Sequence, residues 1–253
     1  MAPRITAGSA RTGKPPALVL RGVSVRLGGP AVLHDISCDI RERRIGIVGR
    51  NGSGKTTLAR VIAGLQAPES GTARIDGTDM AKDRKAALRT VGILFQNPDH
   101  QIIFPTVEEE ISFGLVQLGR KRDAAAQETR EILELFGKSH WAGAATHALS
   151  QGQKQLVCLM AILAMRPAVI VLDEPYSGLD IPTRLQLMRV VDEVEASIIQ
   201  VTHDPDSVRH FERVIWVDRG RIREDGQAAD VLSQFEHQMH NWGEQDDLSD
   251  LSG

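Results

Sequence analysis

Two kinds of hydrophobic pattern occur along this chain, a period-two alternation and continuous apolar runs, and both are typical of β-strands. Residues 17–26 and 31–40 carry apolar side chains with a period near two, which predicts strands with one buried face. Further apolar runs predict the strands of a mostly parallel central sheet with helices between them. These runs lie at residues 44–48, 91–95, 168–173, 197–201 and 212–218.

Two parts of the chain do not fit the strand–helix alternation of a doubly wound sheet. The first two strands, completed near residues 72–75, predict a small antiparallel β subdomain. Two consecutive helical patterns predict an inserted helical subdomain at about residues 97–166, with Thr106 as an N-cap and Glu109 as its capping-box partner. The two helices are predicted at residues 106–118 and 123–137.

A glycine-rich turn follows the strand at residues 44–48. Residues 49–56, called the phosphate loop below, fit the pattern G-x-x-x-x-G-K-[ST] and precede a helix predicted at residues 57–63. In such a loop glycines let backbone N–H groups turn towards phosphate, Lys55 reaches the β- and γ-phosphates, and the Thr56 hydroxyl binds Mg²⁺. The alternative is a glycine-rich turn with a chance lysine. The predicted nucleotide ligands are Gly49, Arg50, Asn51, Gly52, Ser53, Gly54, Lys55, Thr56 and Thr57.

Two carboxylates stand at the end of the apolar run at residues 168–173. Asp173 and Glu174 follow Val-Ile-Val-Leu, and the carboxyl end of a buried parallel strand lies at the crevice where open α/β sheets bind ligands. We expect Asp173 to hold Mg²⁺ and Glu174 to polarise the water that attacks the γ-phosphate. In isolation such a pair is commonly a solvated turn. Together with an upstream phosphate loop, it predicts a P-loop NTPase.

The order of the remaining motifs resembles that of the ATP-binding-cassette (ABC) ATPases. Residues 149–153 read Leu-Ser-Gln-Gly-Gln before an apolar helix, and residues 177–180 read Ser-Gly-Leu-Asp. Gln96 and His203 each follow a predicted strand. The resemblance covers about residues 17–235, and the ordered set of motifs is specific to this family. It implies a P-loop NTPase fold with antiparallel and helical subdomains.

Two positions depart from the family pattern. Gln151 stands where the family usually has glycine, while the serine before it and the glycine after it are retained. Leu27 falls where many members place an aromatic ring that stacks on adenine. We therefore expect a working signature motif at residues 149–153 together with weak selectivity for the base.

The resemblance also implies that two chains share the chemistry. Family members pair head-to-tail, so that each ATP lies between the phosphate loop of one chain and the signature of the other. His203 would bridge the γ-phosphate, the attacking water and Glu174, and Gln96 would touch Mg²⁺ and the same water. One chain carries both half-sites, which favours a homodimer over a heterodimer. The residues expected at the partner's ATP are Ser150, Gly152, Gln153 and Asp180.

A longer segment narrows the resemblance to one branch. Residues 96–114 are similar to those of energy-coupling-factor (ECF) ATPases, which drive vitamin and metal-ion uptake in prokaryotes. Residues 42–49 look like the biotin-uptake branch, although the cobalt and nickel branches share the longer segment. The implied partners are an integral membrane coupling subunit and a substrate-binding membrane subunit, at the cytoplasmic face of the inner membrane. Residues 102–104 form an apolar cluster that either receives a partner's helix or packs within the helical subdomain.

Composition agrees with this interpretation. The formal net charge of −3 offers no basic field for nucleic acid. Cys38 and Cys158 lie in apolar stretches without metal-ligand spacing, which predicts small core residues. The apolar run at residues 156–165 is shorter than the ~20 residues that span a bilayer, and no signal-peptide pattern follows Met1. The transport channel is therefore expected in another subunit.

The interpretation is an ATP-hydrolysing subunit that energises uptake of a vitamin, with biotin favoured, or of cobalt or nickel. The alternative is a soluble ABC ATPase that acts on nucleic acid, ribosomes or cofactor assembly. A nucleotide-binding regulator without hydrolysis is disfavoured because Lys55, Asp173, Glu174 and His203 are all present. The predicted segments are a disordered arm at residues 1–16, a nucleotide-binding domain at 17–236 and a flexible acidic tail at 237–253.

Overall fold

Strands and helices alternate along most of the chain, of which the computed structural model describes residues 14–245. The strands are β1 (Leu18–Arg26), β2 (Ala31–Ile40), β3 (Arg44–Val48), β4 (Ser70–Ile75), β5 (Thr78–Asp79), β6 (Val91–Leu94), β7 (Val169–Asp173), β8 (Ser197–Thr202), β9 (Arg213–Asp218) and β10 (Arg221–Gln227). The α-helices are α1 (Lys55–Ile62), α2 (Arg84–Thr90), α3 (Val107–Gln117), α4 (Arg122–Leu135), α5 (Gln151–Ala164), α6 (Ile181–Glu193) and α7 (Ala228–Gln245).

Two sheets confirm the predicted fold class. Strands β2, β1, β4 and β5 form, in that order, a small antiparallel sheet. The central sheet has the order β10-β9-β3-β8-β7-β6, in which β9, β3, β8, β7 and β6 run parallel and the edge strand β10 runs antiparallel. Strand β8 pairs with both β3 and β7. The phosphate loop after β3 and the carboxylates of β7 therefore emerge at the same edge of the sheet.

The central strands are buried on both faces, as their continuous apolar runs predict. Every residue of β7 and of β8 is buried. Alternate side chains of β7 face two cores: Val169 and Val171 pack with the small sheet and α1, whereas Ile170 and Leu172 pack with the helical subdomain, α6 and α7. Burial raises the pKa of the Cys38 thiol to about 12. Cys38 and Cys158 are buried free cysteines, as predicted.

Helices α3, α4 and α5 form the inserted helical subdomain. Thr106 and Glu109 cap α3 reciprocally through side chain and backbone, which confirms the predicted capping box. Helix α5 begins at Gln151, before the apolar run at residues 156–165, because Ser150 and Gln153 form a second capping box. Within the described residues, no helix is both long enough and apolar enough to traverse a bilayer.

The C-terminal part of the chain differs from its prediction. Helix α7 continues to Gln245, so residues 237–245 are helical where a flexible acidic tail was expected. The reason is apolar packing, since Met239 and Trp242 contact the core. Strand β10 and helices α2, α6 and α7 were not predicted, and α6 buries few side chains, which weakens its hydrophobic period. Residues 1–13 and 246–253, where the arm and the rest of the tail were predicted, lie outside the described residues.

The basic pair that precedes the phosphate loop has a structural role. The Arg43 guanidinium donates to the carbonyl oxygen of Glu195 at 2.8 Å. The Arg44 guanidinium donates to the carbonyl oxygens of Val194 and, at 2.9 Å, of Ala196. Side-chain donors of this kind satisfy the carbonyl groups left free at a helix end. The pair therefore ties the start of β3 to the segment between α6 and β8.

Candidate active site

The carboxyl ends of the central strands open into a cleft of about 460 Å³. The phosphate loop forms one wall, and residues that follow β6, β7 and β8 form the others. The cleft therefore unites motifs that are far apart in the sequence. It is lined by Val32, Asn51, Gly52, Gly54, Lys55, Thr56, Thr57, Gln96, Glu174, Ser177 and His203.

Close packing requires glycine at two positions of the phosphate loop. A Cβ atom at Gly49 would lie 2.2 Å from the carbonyl oxygen of Val217, and one at Gly54 would lie 2.8 Å from a side chain of β2. Gly54 also has a φ of 103°, in the region that favours glycine. The Gly220 N–H donates to the Ser53 carbonyl oxygen at 2.9 Å. Strand β2 and the β9–β10 turn thus fix the shape of the loop.

Lys55 lies inside the loop, where α1 begins. Its Nζ donates to the carbonyl oxygens of Gly49 at 2.8 Å and Arg50 at 3.0 Å. Burial lowers the pKa of Lys55, while the nearby charges of Glu174 and Asp173 act in the opposite direction. Its ammonium group is therefore held beside the first turn of α1, whose free N–H groups attract anions. This arrangement suits a polyphosphate.

Three oxygen-bearing side chains at the cleft fit Mg²⁺. The Thr56 hydroxyl donates to Asp173 Oδ1 at 3.1 Å, and Gln96 lines the same cleft. Burial raises the pKa of Asp173, and the hydrogen bond from Thr56 opposes this shift. Hydroxyl, carboxylate and amide oxygens are suitable ligands for Mg²⁺ when phosphate and water complete its shell. The buried Ser53 hydroxyl, which has no hydrogen-bond partner among the described residues, is a further polar atom beside the phosphate cradle.

Glu174 leaves β7 with an unusual backbone conformation. Its φ of 49° lies in the left-handed region, and its N–H donates to the Val201 carbonyl oxygen at 2.9 Å. Glu174 Oε1 lies 2.8 Å from His203 Nδ1, whereas the Thr202 hydroxyl reaches Oε2 at 3.4 Å. The carboxylate is nearly buried, with 10% of its side chain exposed. It therefore faces the cleft with one oxygen held by His203 and the other weakly engaged.

The signature residues line a different cavity, of about 170 Å³, beside α6. A Cβ atom at Gly152 would lie 2.4 Å from Thr183 Cγ2, so this glycine permits close packing of α5 on α6. Asp180 caps α6 by accepting from the Thr183 N–H at 2.9 Å, and hydrogen bonds with the side chain and then the backbone of Thr183 lower the pKa of Asp180. Ser150 and Gln153 lie at the start of α5 in this second cavity. Within one chain, the structure does not bring the signature to the phosphate loop.

Gln151, which replaces the usual glycine, contacts the turn at residues 177–180. Its Nε2 donates to the Ser177 carbonyl oxygen at 3.4 Å, and a Cβ atom at Gly178 would lie 3.1 Å from the same nitrogen. Because Ser177 lines the cleft, this side chain connects the signature to a wall of the active site.

Leu27 lies apart from the cleft, whereas Val32, Ser177 and Thr202 belong to the site although none of them was predicted as a nucleotide, metal or catalytic residue. Leu27 is 52% exposed and is not among the residues that line the cleft. Val32 and Ser177 line the cleft. Val32 carries no chemical signal in the sequence, whereas Ser177 opens the turn at residues 177–180 on which the family resemblance partly rests. Thr202 contacts Glu174, and its position directly before His203 was an available signal.

Comparisons with known proteins agree with this geometry. The model of the ABC transporter family matches residues 33–177. The biotin transport ATP-binding protein BioM of Rhodobacter capsulatus is 47% identical over 219 residues, which cover 87% of this chain and 94% of BioM. The energy-coupling factor transporter ATP-binding protein EcfA1 of Lacticaseibacillus paracasei is 37% identical over 79% of this chain and 74% of its own length.

A solved structure is similar over a comparable length. CbiO1 from Clostridium perfringens, part of the ABC transporter complex cbiONQ, superposes with a TM-score of 0.74 at 30% identity and covers 87% of this chain and 91% of CbiO1. Fold and cleft together define a P-loop ATPase. The chain belongs to the ABC transporter family, as an ATP-binding subunit. It binds ATP and couples ATP hydrolysis to transport, as the resemblance implied.

Proposed function

We propose that this chain is the ATP-hydrolysing subunit of an ECF-type importer, with biotin as the favoured cargo. The observation that carries the proposal is the Glu174–His203 pair, which lies in the same cleft as Lys55 and Thr56. The names of the relatives support the transport assignment, since one is a biotin transport protein and another an energy-coupling factor protein. Cobalt or nickel is the second candidate cargo.

Hydrolysis follows from the positions of these side chains. Lys55 and the N–H groups of the phosphate loop bind the β- and γ-phosphates of ATP. When bound, Mg²⁺ would be held by Thr56, Asp173 and Gln96 and would neutralise phosphate charge. Glu174 takes a proton from the attacking water, and its Oε2 is the more available oxygen because His203 holds Oε1.

A second copy of the chain completes each site in this proposal. The phosphate loop and the signature line separate cavities of one chain, which supports an arrangement in which the two motifs meet across an interface between chains. Ser150, Gly152 and Gln153 would contact the nucleotide bound by the partner, aided by the positive end of the α5 dipole. Asp180, exposed at the start of α6, would lie at the same interface. A homodimer suffices because one chain carries both half-sites.

An apolar patch on the helical subdomain is the proposed contact with a membrane subunit. Ile103 is 66% exposed, and the Phe104 and Phe113 rings pack at 4.9 Å. Buried Glu110 holds this loop, because its Oε2 accepts from the N–H groups of Ile103 and Phe104 at 2.9 Å each. Ile102 instead packs against the core. Of the cluster predicted at residues 102–104, one residue therefore packs inside the domain, and the exposed Ile103 remains available to a partner's helix. The patch consists of the exposed side chains of Ile103, Phe113 and Val116 and the half-buried ring of Phe104.

Coexpression with candidate membrane subunits tests the proposal. Cells with the complete set are assayed for uptake of labelled biotin, Co²⁺ and Ni²⁺, and the complex is purified through a tag on this chain. We expect Ile103→Asp to retain the ATPase activity of the isolated chain but to lose assembly and uptake, because a charge in an apolar interface is costly. Leu88→Asp, at an exposed apolar position on α2, is the matched control.

The possible outcomes separate the alternatives. Uptake of Co²⁺ or Ni²⁺ without uptake of biotin would show that the metal ion is the cargo. The assignment to an ECF-type importer would then stand. Normal assembly of Ile103→Asp would place the docking surface elsewhere. If no membrane subunit copurifies and the chain instead associates with ribosomes or nucleic acid, the soluble ABC ATPase is correct. An assembled complex supports a peripheral position at the cytoplasmic face of the inner membrane.

A further inference from the structure

Gln155 is a polar side chain at a fully buried position of α5. It is 2% exposed. Its Nε2 donates to the carbonyl oxygens of Phe95 at 3.3 Å and Pro175 at 3.4 Å, while Oε1 has no partner among the described residues. Burial of an amide is unfavourable unless its polar atoms find partners. The two donated hydrogen bonds therefore offset the cost of a side chain that the surrounding apolar core does not otherwise accommodate.

Both acceptors adjoin residues of the proposed active site. Phe95 directly precedes Gln96, and Pro175 directly follows Glu174. One amide group thus joins the segments after β6 and β7 that carry these two side chains. Gln155 is not among the residues that line the cleft, so it acts through the backbone and not by touching the nucleotide.

The segment that carries Glu174 depends on such restraint. A φ of 49° is sparsely populated by residues other than glycine, and it persists where the surroundings hold it. The Glu174 N–H is held by the Val201 carbonyl oxygen at 2.9 Å, and Gln155 holds the carbonyl group of the next residue. With both sides of Glu174 fixed, its carboxylate is directed towards His203.

Helix α5 links this amide to the signature. Ser150 caps the helix, and Gln155 lies little more than one turn further on. A second contact connects the same helix to the segment after Gln96, because Lys154 Nζ lies 2.7 Å from Asp99 Oδ1. A displacement of the signature therefore reaches both active-site segments through one rigid element.

We propose that Gln155 is a positioning residue for hydrolysis. It fixes the positions of the segments that carry Gln96 and Glu174 relative to α5, the helix that begins with the signature. The inference rests on the proposed role of Glu174 as the base. ATP binding should not depend on Gln155, because the contacts that fix the phosphate loop come from β2 and from Gly220. Loss of the amide should therefore lower kcat and leave the KM for ATP unchanged.

The test replaces Gln155 by methionine, which has nearly the same volume but no donor. We expect kcat to fall about tenfold to a hundredfold, the scale of a small misplacement of catalytic groups, with the KM for ATP within about twofold of the wild type. Gln155→Asn is the second variant, since it keeps the amide but shortens the reach by about 1.5 Å and should lose the same activity. Gln127→Met, the same exchange at an exposed position of α4, is the control and should keep the kcat of the wild type.

Each outcome decides one question. The full-length protein is assayed with and without its membrane partners, well below its melting temperature, and Glu174→Gln is measured in parallel. If Glu174→Gln is inactive while both Gln155 variants keep normal kcat, the positioning role is wrong and the proposed function stands. An active Glu174→Gln variant would instead remove the proposed base. A lower Tm with unchanged kcat would show that Gln155 only stabilises the fold, and an equal loss in Gln127→Met would remove the assignment to this amide.

Discussion

Replacement of Glu174 by glutamine tests the proposed base with little change in shape. Glutamine keeps the length of the side chain, so the contacts at 2.8 Å with His203 and at 3.4 Å with Thr202 can persist as hydrogen bonds. It cannot accept a proton from water at the operating pH. We therefore expect the variant to bind ATP, to hydrolyse it very slowly, and to accumulate as an ATP-bound dimer.

The expected magnitude follows from the surroundings of Glu174. General-base catalysis typically contributes about 10²–10⁴ in rate, which corresponds to about 3–5 kcal/mol in the activation free energy. The Glu174 side chain is 10% exposed, and no other carboxylate lines the cleft within the described residues. The adjacent carboxylate, Asp173, accepts from the Thr56 hydroxyl at 3.1 Å and is assigned to Mg²⁺, so we expect a loss towards the upper end of this range.

Two measurements check this prediction. Phosphate release gives kcat, and size-exclusion chromatography with ATP detects the trapped dimer. Glu195→Gln removes an exposed carboxylate elsewhere on the chain and should behave as the wild type. Turnover of Glu174→Gln within a few-fold of the wild type would refute the assignment, because another group would then be the base.

Three further predictions concern binding and stability. Lys55→Ala should weaken ATP binding itself, measured with a fluorescent nucleotide, because it deletes a charge held inside the phosphate loop. Because Leu27 supplies no aromatic platform, and base stacking is typically worth about 1–3 kcal/mol, GTP should compete with ATP; hundredfold discrimination in a competition assay would contradict this. Trp242→Ala should lower the free energy of unfolding in urea by about 1–3 kcal/mol, because the half-buried ring packs on Trp216 and under the Arg50 guanidinium at 5.2 Å. An unchanged unfolding midpoint would mean that the end of α7 adds nothing to stability.

The parts of the site that are continuous in sequence were predictable. Strand, loop and helix around Lys55 follow one another, so their pattern is complete within a short segment. The same is true of β7 and its terminal carboxylates, where an uninterrupted apolar run predicts a fully buried strand. The order of strands in the sheet then brings Glu174 and the phosphate loop to one edge.

Features that depend on tertiary packing were not predictable in this way. Gln155 looks like a solvent-facing residue in the first turns of a helix, and only the packing of α5 against β6 and β7 buries it. The tail prediction was wrong at residues 237–245 for a related reason. The acidic residues of the predicted tail cluster at residues 244–250, whereas Met239 and Trp242 precede them and pack against the apolar core of the domain. Local composition does not report such a surface.

The geometry of α5 has a consequence for a dimer assembled as proposed. Its first turn would contact the nucleotide bound by the partner, while Gln155 holds the segments of Gln96 and Glu174 in its own chain. Occupancy of one site would therefore bias the catalytic groups of the other site, and the reverse would hold by symmetry. Because both chains of such a homodimer carry the same helix, the two links would make hydrolysis at the two sites interdependent without any further connection. The hydrogen bond from Gln151 to the Ser177 carbonyl oxygen would strengthen this coupling, because it joins the signature directly to a wall of the cleft in the same chain.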